Sequence, residues 1–234
     1  MKRELESEIV KSEGDAREFN ILSWERQAHA RAFLKKYLAY CKGNKVLDVG
    51  SGFATLAIYA ASLNEKYTVD CVELSDETNK IARENIREKS LENRIKIIKT
   101  DAKNMELPSN NYDIAICCDM LHHIEEPVYV INEMVRVVKA DGSILIRDVL
   151  RPESKTELER IIMERAEDIG NTNTDKTVRE SAIAALSLDE IKKIVQMSNL
   201  KNYKIIAEKR HRGYLSHAWI LRLDSRSYSL KGEN

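Results

Sequence analysis

A single aspartate, Asp48, ends the apolar run Val46-Leu-Asp-Val49 and is followed by Gly50-Ser-Gly52-Phe-Ala54. A carboxylate is costly to desolvate, and glycine weakens regular structure. A ligand that needs close backbone approach and a negative partner explains both choices. Further acids recur where later apolar runs end. Glu73 closes the next run, 23 positions after Gly50, and Asp101-Ala102 follow the third. Asp119, His122 and His123 follow the fourth, and Asp148 lies in the fifth. Histidines and a carboxylate at strand ends are candidates for proton transfer, which needs a titratable group within hydrogen-bond reach of the reacting atom.

An acid in the position of Glu73 can accept from both hydroxyls of a ribose, and Asp101 is placed to meet an adenine edge. Leu74 is read as an apolar wall for that ring or as core. A dinucleotide loop would read G-x-G-x-x-G with Gly or Ala last, and Thr55 stands there instead. Metal binding is not expected, because neither His-x-x-x-His nor Cys-x-x-Cys occurs.

The elements that must hold these residues alternate. Strands are predicted at Lys45–Val49, Thr68–Glu73, Ile95–Lys99, Tyr112–Cys117 and Ser143–Val149, with a turn at Asp141-Gly142. Helices are predicted at Phe53–Leu63, Asp76–Lys89 behind Ser75, and from Pro127 to about Val138. Such alternation means a parallel sheet with right-handed crossovers. Beyond Pro152 come a charged helix, Glu153–Ile169, a polar loop, 170–175, and a helix from the capping box Ser187-Leu-Asp-Glu190 to about Asn199. Two strands, Tyr203–Glu208 and Tyr214–Leu223, then flank the basic turn Lys209–Gly213, read as a solvated tip. The first forty residues read as one or two amphipathic helices.

The bulk properties fit one domain of 234 residues, 43% hydrophobic and 32% charged. Lys+Arg and Asp+Glu are both 38, so net charge offers no argument for nucleic acid or an anionic membrane as the main partner. The charged N-terminus does not read as a signal peptide, and no apolar run is long enough for a transmembrane helix. Of Cys41, Cys71, Cys117 and Cys118, the adjacent strand pair Cys117-Cys118 suits small core positions better than ligands, and with no Cys-x-x-Cys pair the plain reading is a reduced, cytoplasmic protein.

Taken in order, Asp48-x-Gly50-x-Gly52, Glu73, Asp101 and Leu121-His-His-Ile-Glu-Glu-Pro127 resemble the class I S-adenosylmethionine-dependent methyltransferases. The match is to the small-molecule group with a Leu-His-His-x-x-x-Pro stretch, strongest over Val46–Leu150. Phe19-Asn-x-x-x-Trp24 is similar to the aromatic entry of that group at slightly different spacing. The resemblance implies an α/β Rossmann-like, seven-stranded and mostly parallel sheet, its last strand antiparallel, with helices on both faces. It divides the chain into a helical lid (1–40), a cofactor-binding core (41–150), a helical insertion (151–187) and a helix with a hairpin (188–234). S-adenosylmethionine is the implied cofactor. Asp48, Gly50 and Gly52 would line its methionine end, Glu73 would hold the ribose, and Asp101 with the Ala102 amide would read adenine. Asp119 would face the methionine or the substrate. The family's glycine is replaced by Ala54, a small change.

The expected reaction is methyl transfer to a small-molecule acceptor, with Phe19 and Trp24 in a lid. His122, His123 and Asp148 are the candidate bases, none singled out, and Asp148 is equally placed to pair with Arg147 or Arg151. A protein or RNA methylase and a non-catalytic cofactor-binding partner stand as alternatives. Amino-group methylases of adenine and glutamine carry an Asn-Pro-Pro-Tyr-like motif where this chain reads Cys118-Asp-Met-Leu121, and no Pro-Cys nucleophile is present. Acceptor atom and oligomeric state are not encoded in these motifs.

Overall fold

The computed structural model describes residues 2–6, 12–21, 23–169, 174–208 and 217–222. In chain order the elements are α1 (Glu13–Ile21), α2 (Ser23–Arg26), α3 (Ala28–Leu38), β1 (Lys45–Val49), α4 (Thr55–Leu63), β2 (Thr68–Val72), α5 (Asp76–Glu88), β3 (Ile95–Ile98) and β4 (Tyr112–Cys118). A 3-10 turn (Leu121–His123) precedes α6 (Pro127–Val137), β5 (Val138–Val149), α7 (Lys155–Ile169), α8 (Thr174–Ala184), α9 (Leu188–Met197), β6 (Tyr203–Glu208) and β7 (His217–Arg222).

The strands pair in the order β3-β2-β1-β4-β5-β7-β6. The first five run parallel, and β7 is antiparallel to both β5 and β6. Because helices cover both faces, the central strands are buried along most of their length and are mainly apolar rather than alternating with polar residues. Val46, Ile114, Ile116 and Cys118 point into one core with Leu34 of α3 and Ala57 and Ala60 of α4. Leu47, Val49, Ala115 and Cys117 point into the other with Ile131 and Met134 of α6 and Ile191 of α9. This two-residue period is the pleat of a strand read from its two sides. It also sends Cys117 and Cys118 to opposite cores, as expected of small core residues.

Local chemistry fixes the helix starts. The Ser75 hydroxyl accepts from the Thr78 amide at 3.2 Å, and Asp76 and Glu77 occupy the positive end of α5. Pro127 opens α6, and Ser187 and Glu190 form a complete capping box at α9.

Several predicted boundaries are corrected. The Asp141-Gly142 turn lies inside β5, because the ladder with β4 jumps from Tyr112–Val138 to Ile114–Ser143 and absorbs the extra residues. Gly142 is required there: a Cβ would meet Val138 Cγ1 at 2.6 Å and the Asp113 carbonyl oxygen at 2.7 Å. Of the predicted polar loop 170–175, residues 170–173 lie outside the described residues, and Thr174 and Asp175 instead open α8, held by Val178 and Ala182 packing on Leu158, Ile161 and Ile162 of α7. Among the described residues of the first forty, three helices occur, not one or two. The basic turn 209–213 lies outside the described residues.

β1 lies between β2 and β4, and the chain reverses direction across the sheet there. In open α/β sheets that switch point, at the carboxyl ends of the strands, is the ligand crevice.

Candidate functional site

The turn after β1 is built on left-handed backbone. Gly50, Gly52 and Ala54 have φ of 71°, 52° and 61°. The Gly50 and Ser51 amides both donate to the Val72 carbonyl, at 2.9 and 3.1 Å, and so bind the turn to β2. A Cβ on Gly50 would lie 2.3 Å from Met120 Cγ, whereas a Cβ on Gly52 would meet nothing within 4 Å. The first glycine therefore admits Met120 from across the crevice, and the second faces open space. Ala54 holds a left-handed position that costs an L-residue more than glycine.

Glu73 closes over this turn. Its Oε2 accepts from the Gly52 amide at 3.1 Å and its Oε1 from the Ser75 amide at 2.9 Å. Its neighbour Leu74 is 58% exposed, an apolar side chain beside an acid at the crevice rim and no part of the core. Beneath the turn Asp48 is 1% exposed, and its Oδ2 has no hydrogen-bond partner. Burial, reinforced by the charge of Glu73 and only weakly opposed by the Ala57 amide, pushes the Asp48 carboxyl up to about 7. The Ser51 hydroxyl is likewise buried without a partner. Orphaned buried polar atoms are rare in folded proteins and mark places where a ligand or water completes the bonding. At the end of β3, Asp101 Oδ1 accepts from the Lys103 amide at 2.8 Å, and Ala102 packs against the second core.

Across the crevice the fourth-strand residues separate into two pairs. Asp119, left-handed at φ 53°, is ion-paired with Arg147, whose side chain is almost wholly buried. Burial raises the Asp119 carboxyl, with Arg147 opposing. Asp148 pairs with neither Arg147 nor Arg151, and Arg151 instead binds Glu190 at 2.8 Å. Asp148 Oδ1 lies 2.6 Å from His122 Nδ1, and its Oδ2 accepts from the His122 amide at 3.3 Å. Burial alone would raise Asp148, but the facing imidazole and the Val149 amide hold it below the usual carboxylate range. An ionised Asp148 only accepts, so Nδ1 of His122 carries the proton. His123 stacks on His122 with ring centroids 4.0 Å apart.

Three residues that local pattern reading missed complete this region. Arg3 donates to the carbonyl oxygens of Ala184, His122 and Ile124 at 2.8, 3.2 and 2.8 Å. That strap delivers Glu6, whose side chain is fully buried, to His122, His123 and Ser181. Arg147 had one available signal, a charge inside an apolar strand. Arg3 and Glu6 had none, since their partners lie more than a hundred residues away.

The aromatic segment before β1 flanks the glycine turn. Asn20 exchanges amide hydrogen bonds with Asn85, which also donates to the Phe53 carbonyl at 2.9 Å. Phe19 is half-buried on α1, whereas Trp24 is 46% exposed, edge-on to Tyr59 and under the Arg31 guanidinium. If this segment is a lid, cofactor is expected to slow tryptic cleavage after Arg17 and Arg26. Equal cleavage rates with and without cofactor rule out ligand-coupled closure.

Comparison with known proteins points the same way. A methyltransferase-domain family model matches residues 47–146. The ubiquinone/menaquinone biosynthesis C-methyltransferase UbiE of Shewanella sediminis is 28% identical over 112 residues, covering 47% of this chain and 45% of the relative. The Shewanella piezotolerans protein of that name is 29% identical over 111 residues. The chain thus spans about half the length of these curated relatives. A candidate S-adenosylmethionine-dependent methyltransferase from Methanococcus maripaludis superposes with a TM-score of 0.68 at 18% identity, covering 96% of this chain and 99% of that one. A Haemonchus contortus phosphoethanolamine N-methyltransferase, solved with phosphomonomethylethanolamine and S-adenosylhomocysteine, gives 0.62 at 19% identity over 84% of this chain and 43% of its own. The fold is that of these methyltransferase structures, and residues 47–146 match the methyltransferase-domain model.

Proposed function

We propose that the protein transfers a methyl group from S-adenosylmethionine to a small-molecule acceptor bound at the Asp119–His123 side of the crevice. The observation that carries this reading is Asp48, a buried carboxylate with a partnerless oxygen beneath a glycine turn that Glu73 closes. The cofactor brings an ammonium and a sulfonium, so an acid at that point offsets charge that a phosphate ligand would not have. Gly52 leaves the backbone open to the methionine end. Each Glu73 oxygen accepts one amide and keeps a lone pair, enough to receive the ribose hydroxyls. Leu74 supplies an apolar wall for the adenine, whose edge meets Asp101 and the Ala102 amide. The UbiE relatives, named for ubiquinone/menaquinone biosynthesis, favour a small acceptor.

When bound, the cofactor supplies a methyl carbon to an in-line displacement: the acceptor's lone pair forms the new bond while the sulfur keeps the electrons of the old one. The chain's contribution is then position and exclusion of water, for which well-oriented reactions gain roughly 7–11 kcal/mol. Met120 over Gly50 narrows the space beside the methionine end. Asp119 is fixed by Arg147, and His122 by Asp148, so the acceptor meets preset side chains. His122 and His123 act here by shaping the pocket. Phe19 and Trp24 sit on the segment that would cover it.

Isothermal titration checks the reading directly. Binding of S-adenosylmethionine and of its demethylated product is expected, with none of NAD. Tight NAD binding without response to the methionine cofactor would overturn the proposal.

A further inference from the structure

We propose that Glu6, His122 and His123 form a binding site for one divalent transition-metal ion of the zinc class, with a fourth position open at the solvent-facing edge of His123. Glu6 Oε2 lies 3.6 Å from His122 Nε2 and 3.3 Å from His123 Nδ1. One ligand atom from each residue falls within 4.8 Å of the other two. Zinc holds nitrogen and oxygen ligands at about 2.0–2.2 Å in tetrahedral geometry, which sets neighbouring ligand atoms roughly 3.3–3.6 Å apart. Both measured separations fit that edge length, and the remaining pair of ligand atoms lies within 4.8 Å.

The tautomer strengthens the case. Asp148 takes the proton on His122 Nδ1, as the 2.6 Å contact requires, so in the neutral ring Nε2 presents a lone pair. That lone pair faces a carboxylate oxygen that also only accepts, and His123 Nδ1 approaches the same oxygen. With the His123 proton on Nε2, its Nδ1 adds a third lone pair, and the three ligand atoms lie within 4.8 Å of one another beside the buried Glu6 side chain. One cation would satisfy all three. Two imidazoles and a carboxylate select zinc-like ions over magnesium or calcium, which prefer oxygen alone.

The surroundings match a metal centre's outer contacts. A carboxylate on the far nitrogen of a ligating histidine is the usual support, and Asp148 provides it. The Ser181 hydroxyl donates to both Glu6 oxygens, at 3.2 and 3.1 Å. Arg3 pins the strap to the turn that carries the histidines. His123, exposed over 42% of its side chain, leaves the fourth direction accessible. An ion there would take water or a deprotonable O, N or S atom of the acceptor and lower its pKa. That role rests on the methyl-transfer reading; the site itself does not. No His-x-x-x-His or Cys-x-x-Cys spacing announces such a site, because this set joins residues 116 positions apart.

The test titrates the metal-stripped full chain with ZnCl₂ by calorimetry, and with CoCl₂ by visible absorption. We expect one ion per chain at micromolar affinity or tighter, and cobalt bands of four-coordinate intensity. Glu6→Gln and His123→Asn should each weaken zinc at least a hundredfold, and Asp148→Asn ten- to a hundredfold. Circular dichroism establishes that each variant is folded, and Glu6→Gln, lying on the strap, leaves the sheet untouched. Absence of stoichiometric zinc binding overturns the proposal, as does zinc binding indifferent to Glu6→Gln. A His122 Nε2 that stays protonated by ¹⁵N NMR in the presence of zinc would also overturn it, since the proton then occupies the metal's place.

Discussion

Replacing Glu73 with alanine is expected to raise the dissociation constant for S-adenosylmethionine ten- to a hundredfold in a protein that stays folded. Hydrogen bonds to an ionised acceptor contribute about 1.5–3 kcal/mol, and every 1.4 kcal/mol is a factor of ten. Two effects add in this chain. The carboxylate would receive the ribose, and it also holds the Gly52 amide at 3.1 Å, so its loss loosens the glycine turn as well. Glu73→Gln separates them, because one amide oxygen still accepts from Gly52 while the charge is gone. The glutamine variant should fall between wild type and alanine. Calorimetric titration of all three, with dichroism as the control, decides the matter. An unchanged affinity in folded Glu73→Ala would mean that the ribose is held elsewhere.

A second large effect is expected at Asp48, and it has opposite signs in the free and bound protein. The folded carboxyl sits at about 7, well above its ordinary value of 3.8. The folded state therefore keeps this proton where the unfolded state has lost it, and stability falls as pH climbs from about 4 to 7, then levels off. Three pKa units correspond to a penalty on the order of 4 kcal/mol at pH 8. Asp48→Asn removes that penalty, so its melting temperature without ligand should exceed wild type at pH 8 and match it near pH 4. Cofactor binding runs the other way. The ionised acid offsets the ligand's positive charge, so wild-type affinity should weaken as pH falls below 7, while the weaker affinity of Asp48→Asn should be flat. A variant no more stable at pH 8 than at pH 4, relative to wild type, would show that Asp48 is not strained by burial.

Much of this crevice was legible because its cofactor side is assembled from local signals. An apolar strand, an acid and two glycines define the turn after β1, and Ser75 and Pro127 announce α5 and α6. What escaped reading depends on distance or on context. The Asp141-Gly142 pair has the chemistry of a turn, yet the register jump against β4 uses it inside a strand. The polar residues near Thr174 read as loop, but apolar contacts with α7 made later in the helix decide the state. Asp148 had two arginines nearby in sequence and chose a histidine 26 residues back, because the ends of β4 and β5 lie side by side. Glu6 carries no local pattern at all. Its role exists only once the sheet has brought the Leu121–His123 turn and α8 together.

That last dependence has a consequence for how the chain is made. Arg3 finds the Ala184 carbonyl 181 residues later, and Glu6 finds Ser181 175 residues later. At 5–20 residues per second, those partners leave the ribosome roughly 10–35 s after the strap itself. During that interval the strap lacks these partners, while the β1–β2 half already carries its glycine turn and its acids. The crevice is thus finished in a fixed temporal order, nucleotide side early and histidine side late, with a strap made long before its partners as the last piece to dock.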